Sequence, residues 1–223
     1  MEEDNDSRHN CRVHWVDWNG RKLPKRLGGH PALDFCNTWA GWAETDDGDV
    51  SREWLGDYGD LLALSHYAEL VDGAQVQALT AVAERHPRQA ALVLEQARAL
   101  RAALYAALLD RSDADSLAAV TEVARRAGAH AAVVATAAGP ASWTVSDDAG
   151  LDQPLLAVGW AGAQLLTSPD VLAVSACPGA MCGWLFLDRR GRRRWCDMAV
   201  CGNRAKVAAH ARRARAQAPS RST

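Results

Sequence analysis

Four of the six cysteines fall in one stretch near the C-terminus, CPGAMCGWLFLDRRGRRRWCDMAVC, as two C-x4-C pairs: Cys177/Cys182 and Cys196/Cys201. Four thiolates suit one zinc ion, which takes sulfur ligands in a tetrahedron. Thirteen residues separate the pairs, so the chain can leave one knuckle and return with the second. Pro178 and Gly179 give the first knuckle its tight backbone, and Gly202 follows the last ligand. With no histidine or carboxylate in the set, the site is closed: one structural zinc on four cysteines, not a catalytic zinc. Free core thiols and disulfides are the alternatives. The N-terminus, MEEDNDSRHN, is acidic and polar and is no secretory signal. The expected setting is therefore cytoplasmic and reducing, where paired cysteines hold metal more often than each other. Cys11 with His14 and His9 offers too few ligands for a second metal site.

The same stretch is basic. Residues 177–223 hold 11 Lys and Arg against 2 Asp and Glu, whereas residues 1–176 hold 14 against 25. The net charge of -2 conceals this split. A cationic end on an acidic body is the pattern of a polyanion-binding module joined to a part with another task. Arg192, Arg193, Arg194, Arg204, Lys206, Arg212 and Arg213 are the candidate nucleic-acid contacts, with Arg215 nearby. The arginine fork matches phosphate oxygens and the guanine edge. DNA is the expected partner.

Other chemistry finds little support. There is no glycine-rich phosphate loop, no G-x-S-x-G elbow and no H-E-x-x-H helix, and no catalytic residue is assigned. His66, His86 and His130 stand alone. The acidic run Glu44–Asp49 lacks the spacing of a calcium loop and reads as solvated. No run approaches the ~18 consecutive apolar residues of a membrane helix, so no membrane partner is expected. Nine tryptophans are many, and read mainly as core or interface packing.

These residues must be positioned by the elements around them. Arg12 to Leu23 alternates about an Asn19-Gly20 turn and predicts a hairpin. Pro31 suits the first position of a helix running from Ala32 to Trp42. On it His30, Asp34, Asn37 and Thr38 share one side, either tying down nearby backbone or lining a ligand pocket. Ser51 caps the next turn, with Trp54 and Leu55 as core anchors. Helices follow over 58–70, 74–85 (stopped by Pro87), 88–110 and, from a cap at Asp113 or Asp115, to about Ala127 before Gly128. In the long helix Val93, Ala97, Leu100, Leu104 and Leu108 form the apolar stripe, with Glu95, Arg98 and Arg101 directed elsewhere. Two short strands, 131–136 and 142–145, flank a Gly139-Pro140 turn, and 152–167 returns to helix. Ser168-Pro169-Asp170 starts a last short helix or turn. Between the cysteine pairs, Gly183–Trp195 reads as a hairpin turning at Arg189-Arg190-Gly191. Asn203 then caps a helix from Arg204, with Val207, Ala211 and Ala214 as a weak apolar face and Lys206, His210 and Arg213 as a basic one.

The segment from Cys177 to Lys206 resembles the CGNR zinc finger, including Cys201-Gly202-Asn203-Arg204 and Arg193-Arg194-Trp195-Cys196. Upstream, LGGHPALDFCNTW at Leu27–Trp39, REWLGDYGDLLAL at Arg52–Leu64, ARALRAALYAAL at Ala97–Leu108 and LLTSPD at Leu165–Asp170 resemble the ABATE domain, which is usually found attached to this finger. Arg189-Arg190 departs from the finger family, which often has a serine in that turn. The resemblance implies a transcription regulator, sometimes described as stress-induced.

The expected fold is therefore α+β: a mainly helical body with a small sheet, then a small treble-clef-like zinc finger of knuckle, β-hairpin, knuckle and helix. The expected organisation is a polar N-terminal extension or hairpin at 1–23, an ABATE-like domain at 24–173, the finger at 174–216 and a tail at 217–223. The expected function is DNA binding by the finger and sensing of a small-molecule effector or partner by the body, with a homodimer as a further expectation. A protein-interaction adaptor with a purely structural finger is the alternative, as is a small-molecule-binding or enzymatic N-terminal domain.

Overall fold

The computed structural model describes residues 15–42, 52–136 and 139–217. The expectations for Cys11 with His14 and His9, for the acidic run Glu44–Asp49, for a cap at Ser51 and for residues 218–223 lie outside the described residues. Among those described, no helix is long and apolar enough to cross a membrane.

The chain opens with strands β1 (Trp15–Trp18) and β2 (Arg21–Pro24), paired antiparallel with Trp18 opposite Arg21. Asn19 and Gly20 both take positive φ, 52° and 79°, the conformation a two-residue hairpin turn requires. Helix α1 (Pro31–Cys36) starts at proline as expected but ends six residues earlier than the sequence pattern predicts. Asn37 and Thr38 turn their side chains to other backbone groups, and the chain passes into β3 (Trp39–Ala40), which pairs with β4 (Arg52–Glu53). Short polar side chains that bond to backbone, as Thr38 does to Phe35 O and Asn37 does to Leu185, compete with helix continuation.

Helices α2 (Tyr58–Tyr67) and α3 (Gly73–Arg85) each begin with a reciprocal capping box, Asp57 with Asp60 and Asp72 with Gln75. Pro87 does more than stop α3: it is the first residue of α4 (Pro87–Leu109). Asp113 caps α5 (Ala114–Gly128). Strands β5 (Ala131–Val134) and β6 (Ser142–Val145) form an antiparallel hairpin. A 3-10 turn then leads to α6 (Gln153–Thr167), which is apolar on nearly every side and runs through the centre of the body. Gly159 and Gly162 let its neighbours approach. A Cβ at Gly159 would lie 2.5 Å from Val123 of α5, and one at Gly162 3.0 Å from Leu104 of α4.

The apolar stripe of α4 is buried as the pattern requires, with Val93, Ala97, Leu100, Leu104 and Leu108 at most 3% exposed. Arg101, expected off this stripe, is itself buried at 4%. It lies four residues beyond Ala97 and so on the same face. Its guanidinium reaches both carboxylate oxygens of Glu53, at 2.6 and 2.5 Å, and the Thr38 hydroxyl at 2.8 Å. This fork joins α4 to β4 and to the end of α1.

The finger follows in β7 (Val174–Ala176), β8 (Leu185–Leu187), a wide helical turn (Met198–Gly202) and α7 (Asn203–Gln217). The fold class is the expected one, a helical body with small antiparallel sheets and a C-terminal zinc finger. Its strand pairing differs from expectation in one place. β8 does not pair with 192–195; it pairs antiparallel with β7, ahead of the first cysteine, so the hairpin encloses the Cys177–Cys182 knuckle. Residues 189–193 instead form a turn held by Asp188, whose carboxylate accepts from the Arg192 and Arg193 amides at 3.0 and 2.9 Å. Asn203 is likewise not the cap but lies inside the helix, its side-chain amide donating to Ala199 O at 3.0 Å. The cap is Asp197, which accepts from the Ala199 amide at 2.7 Å.

Candidate metal centre

The two knuckles bring Cys177, Cys182, Cys196 and Cys201 together, buried, with all four sulfurs within 4.8 Å of one another. The Cys182–Cys196 and Cys196–Cys201 sulfur separations are both 3.6 Å. Four sulfurs at the usual Zn–S length would form a tetrahedron with edges of about 3.8 Å. The donors therefore fit one zinc ion, with no further ligand needed. As bare thiols the cluster is frustrated. Contacts from Cys182 and Cys196 pull Cys177 down to about 7, while Cys182 and Cys196 are pushed up, each chiefly by its contact with Cys177. A divalent cation removes that conflict by stabilising every thiolate. Cys36, deep in the body, is different: burial is the main cause that pushes its thiol up, and it is an inert core residue.

The residues around the cysteines have definable tasks. A Cβ at Gly179 would come within 3.1 Å of the Cys201 sulfur and 3.4 Å of the Cys177 sulfur. A Cβ at Gly202 would lie 2.4 Å from the Met198 sulfur and 3.2 Å from the Trp195 ring. Arg204 brings a guanidinium nitrogen to 4.0 Å from the Cys201 sulfur, where it offsets thiolate charge. The run Cys201-Gly202-Asn203-Arg204 thus combines a ligand, a close packing position, a turn bond and a neighbouring cation.

The finger is built into the body. Asn37, 0% exposed, donates to Leu185 O at 2.9 Å and accepts from Leu185 N–H at 2.8 Å, as an adjacent strand would. Leu187 N–H reaches Gly28 O, Trp184 Nε1 reaches Trp39 O and the Tyr105 hydroxyl reaches Gly183 O. Tyr105 stacks on Trp42 at 3.9 Å, and Trp54 meets Trp184 edge-on at 5.7 Å. One apolar cluster holds the four cysteines together with Ala40, Trp54, Trp184 and Phe186.

The other polar residues singled out on the first helix are engaged inside the chain. His30 accepts from the Ala32 amide at 3.2 Å and caps α1. Thr38 donates to Phe35 O and receives Arg101. Asp34, 3% exposed, accepts from Gly28 N–H at 2.8 Å and from Arg26 at 3.4 Å. Burial pushes its carboxyl up to about 6 against those partners. Two clefts on the described surface are lined by other residues.

The candidate nucleic-acid residues divide. Arg193 turns inward, donating to Leu27 O at 2.7 Å, to Trp195 O at 3.2 Å and to Cys196 O, with its guanidinium over the Phe186 ring. Arg192 and Arg194 are exposed, and among the described residues the guanidinium of neither meets a carboxylate; Arg194 lies over Trp195. Both border an arginine-lined cleft of about 1030 Å³. Arg189, at its edge, is held by Asp170 at 2.8 and 2.6 Å. In α7 only Ala205 and Ala209 among residues 203–214 are half-buried, and the rest are exposed. Val207, expected on an apolar face, is 69% exposed, so the packing side is the Ala205/Ala209 side. Arg204, Lys206, Arg212 and Arg213 therefore stand on a helix open to solvent.

Comparison with known families agrees with this architecture. The CGNR zinc finger family model matches residues 174–214. The ABATE family model, described as "Putative stress-induced transcription regulator", matches residues 29–169. No curated protein matches the chain.

Proposed function

Because this chain belongs to the ABATE family and ends in a CGNR zinc finger, we propose that it is a zinc-dependent DNA-binding transcription regulator whose finger contacts DNA and whose body senses a ligand or partner. The observation that carries this reading is the solvent-open α7, which bears Arg204, Lys206, Arg212 and Arg213, together with the exposed Arg192 and Arg194, on a zinc-fixed base. Phosphate contacts position a protein on the duplex, and solvent-exposed cations can make them. In this reading Arg192, Arg194, Arg204, Lys206, Arg212 and Arg213 face the nucleic acid. Arg193 positions the turn that presents its neighbours.

The test is fluorescence anisotropy of the zinc-loaded full chain on mixed genomic DNA fragments. Five neutralised phosphates give a fall in affinity of several hundred-fold between about 50 and 200 mM salt. The double variant Arg192→Ala/Arg194→Ala lowers the slope by about two phosphates and keeps its zinc. A salt-independent affinity, or no binding at low salt, refutes the reading. The second outcome favours an adaptor that docks on protein, for which the 69% exposure of Val207 on α7 is the supporting observation.

A further inference from the structure

The hairpin β5–β6 carries more exposed apolar surface than its position explains. Val133 is 60% exposed, Val134 40% and Trp143 54%. Trp143 overhangs a cleft of about 540 Å³ between this hairpin, α6 and the α2–α3 junction. That volume is in the range of small-molecule sites. Trp143 meets Trp160 of α6 edge-on, with centroids 5.7 Å apart and planes at 63°, so two indoles form adjoining walls. Leu70 contributes apolar surface beside them.

The carboxylates of the lining have no cationic counterpart within it. Among the described residues that line it, Glu69 and Asp72 are acidic and none is Lys or Arg. His66 also lines it, its Nδ1 3.0 Å from Val71 O. That contact needs a proton on Nδ1, since a carbonyl oxygen only accepts. Glu69 stands where α2 ends, just past the Ala68 cap, with φ of 62°. Glycine is the usual residue for that left-handed position. Here a carboxylate occupies it, 82% exposed at the side-chain level. Arg26 reaches one Glu69 oxygen from outside the lining, which leaves the second oxygen for another cation. Aromatic faces and carboxylates both attract positive charge, and a hydrophobic cation satisfies both at once.

We propose that this cleft is the ligand site of the body, and that it takes a small organic cation of the alkylated-ammonium type held against the adjoining walls of Trp143 and Trp160, with Glu69 and Asp72 as counter-charges. The proposal deepens the sensing half of the function proposed above. Its test uses no DNA, so its failure leaves DNA binding standing, and loss of DNA binding leaves this site standing.

The probes are choline and its uncharged isostere 3,3-dimethylbutan-1-ol, titrated into the zinc-loaded full chain while the indole N–H resonances are followed by NMR. Choline shifts the Trp143 and Trp160 signals saturably, and the isostere binds at least about tenfold more weakly, because only the cation gains from the rings and carboxylates. Trp143→Ala removes choline binding. Since Trp143 is half-exposed, its loss leaves the fold intact. Glu69→Gln, which keeps both rings, weakens choline several-fold and leaves the isostere unchanged. Absence of saturable shifts up to about 50 mM choline, equal affinity for both probes, or unchanged choline binding in Trp143→Ala overturns the proposal.

Discussion

Asn37→Ala tests how far finger and body are one cooperative structure. Asn37 is fully buried and spends its side-chain amide on both backbone groups of Leu185, at 2.9 and 2.8 Å. Alanine leaves the Leu185 N–H and C=O without these partners in a site closed to water. Each stranded group costs about 1–3 kcal/mol, so the variant loses about 2–6 kcal/mol in all. For a chain of this size that is a drop of about 5–20 °C in Tm. The measurement is urea unfolding of the zinc-loaded full chain, followed by tryptophan fluorescence, together with zinc affinity by chelator competition. Zinc affinity falls as well, because Leu185 lies between the first knuckle and the body. Asn37→Asp separates hydrogen bonding from volume. An ionised aspartate still accepts from Leu185 N–H but sets a second oxygen against Leu185 O. Burial raises the pKa of that carboxyl. The variant therefore gains stability as pH falls through the raised value, where the protonated oxygen can donate, and Asn37→Ala shows no such gain. A loss below about 0.5 kcal/mol for Asn37→Ala, with zinc affinity unchanged, refutes this account of the junction.

Chelation of zinc at neutral pH is expected to lower the melting temperature of the whole chain by at least ~10 °C, because structural zinc supplies folding free energy on the order of 10 kcal/mol in small modules. Calorimetry should show a single shifted transition and not a finger lost from an unchanged body. Glu53→Ala leaves the buried Arg101 guanidinium without its carboxylate and should cost about 3–5 kcal/mol in denaturant unfolding, whereas removing both charges in Glu53→Gln/Arg101→Met should cost less. Asp34, raised to about 6 in the folded chain, holds its proton more tightly folded than unfolded. Its stabilising effect is thus present at low pH and lost as pH rises from about 4 to 6, up to about 3 kcal/mol. Asp34→Asn should flatten that part of the stability-against-pH curve; an unchanged curve contradicts the raised pKa.

The sequence by itself determined the metal and most of the elements. Thiol chemistry restricts what four cysteines at this spacing can hold, and Asn19-Gly20, Pro31, Asp113 and the stripe from Val93 to Leu108 act through local backbone preference and helical period. Local signals of that kind survive in any tertiary setting. Partnerships across the chain left no such mark. Arg101 could be placed on the buried face by counting four residues from Ala97, but its partner Glu53 is 48 residues away. The pairing of β8 with β7 was not visible in the pattern of residues 192–195, whose alternation is weak and whose Arg192 and Arg193 amides Asp188 takes up. The shared polar side of His30, Asp34, Asn37 and Thr38 was visible as a pattern, yet only packing showed Asn37 serving as a strand edge for Leu185. The zinc site was therefore written in four residues. The attachment of the finger to the body was decided by buried polar groups that had to find partners far along the chain.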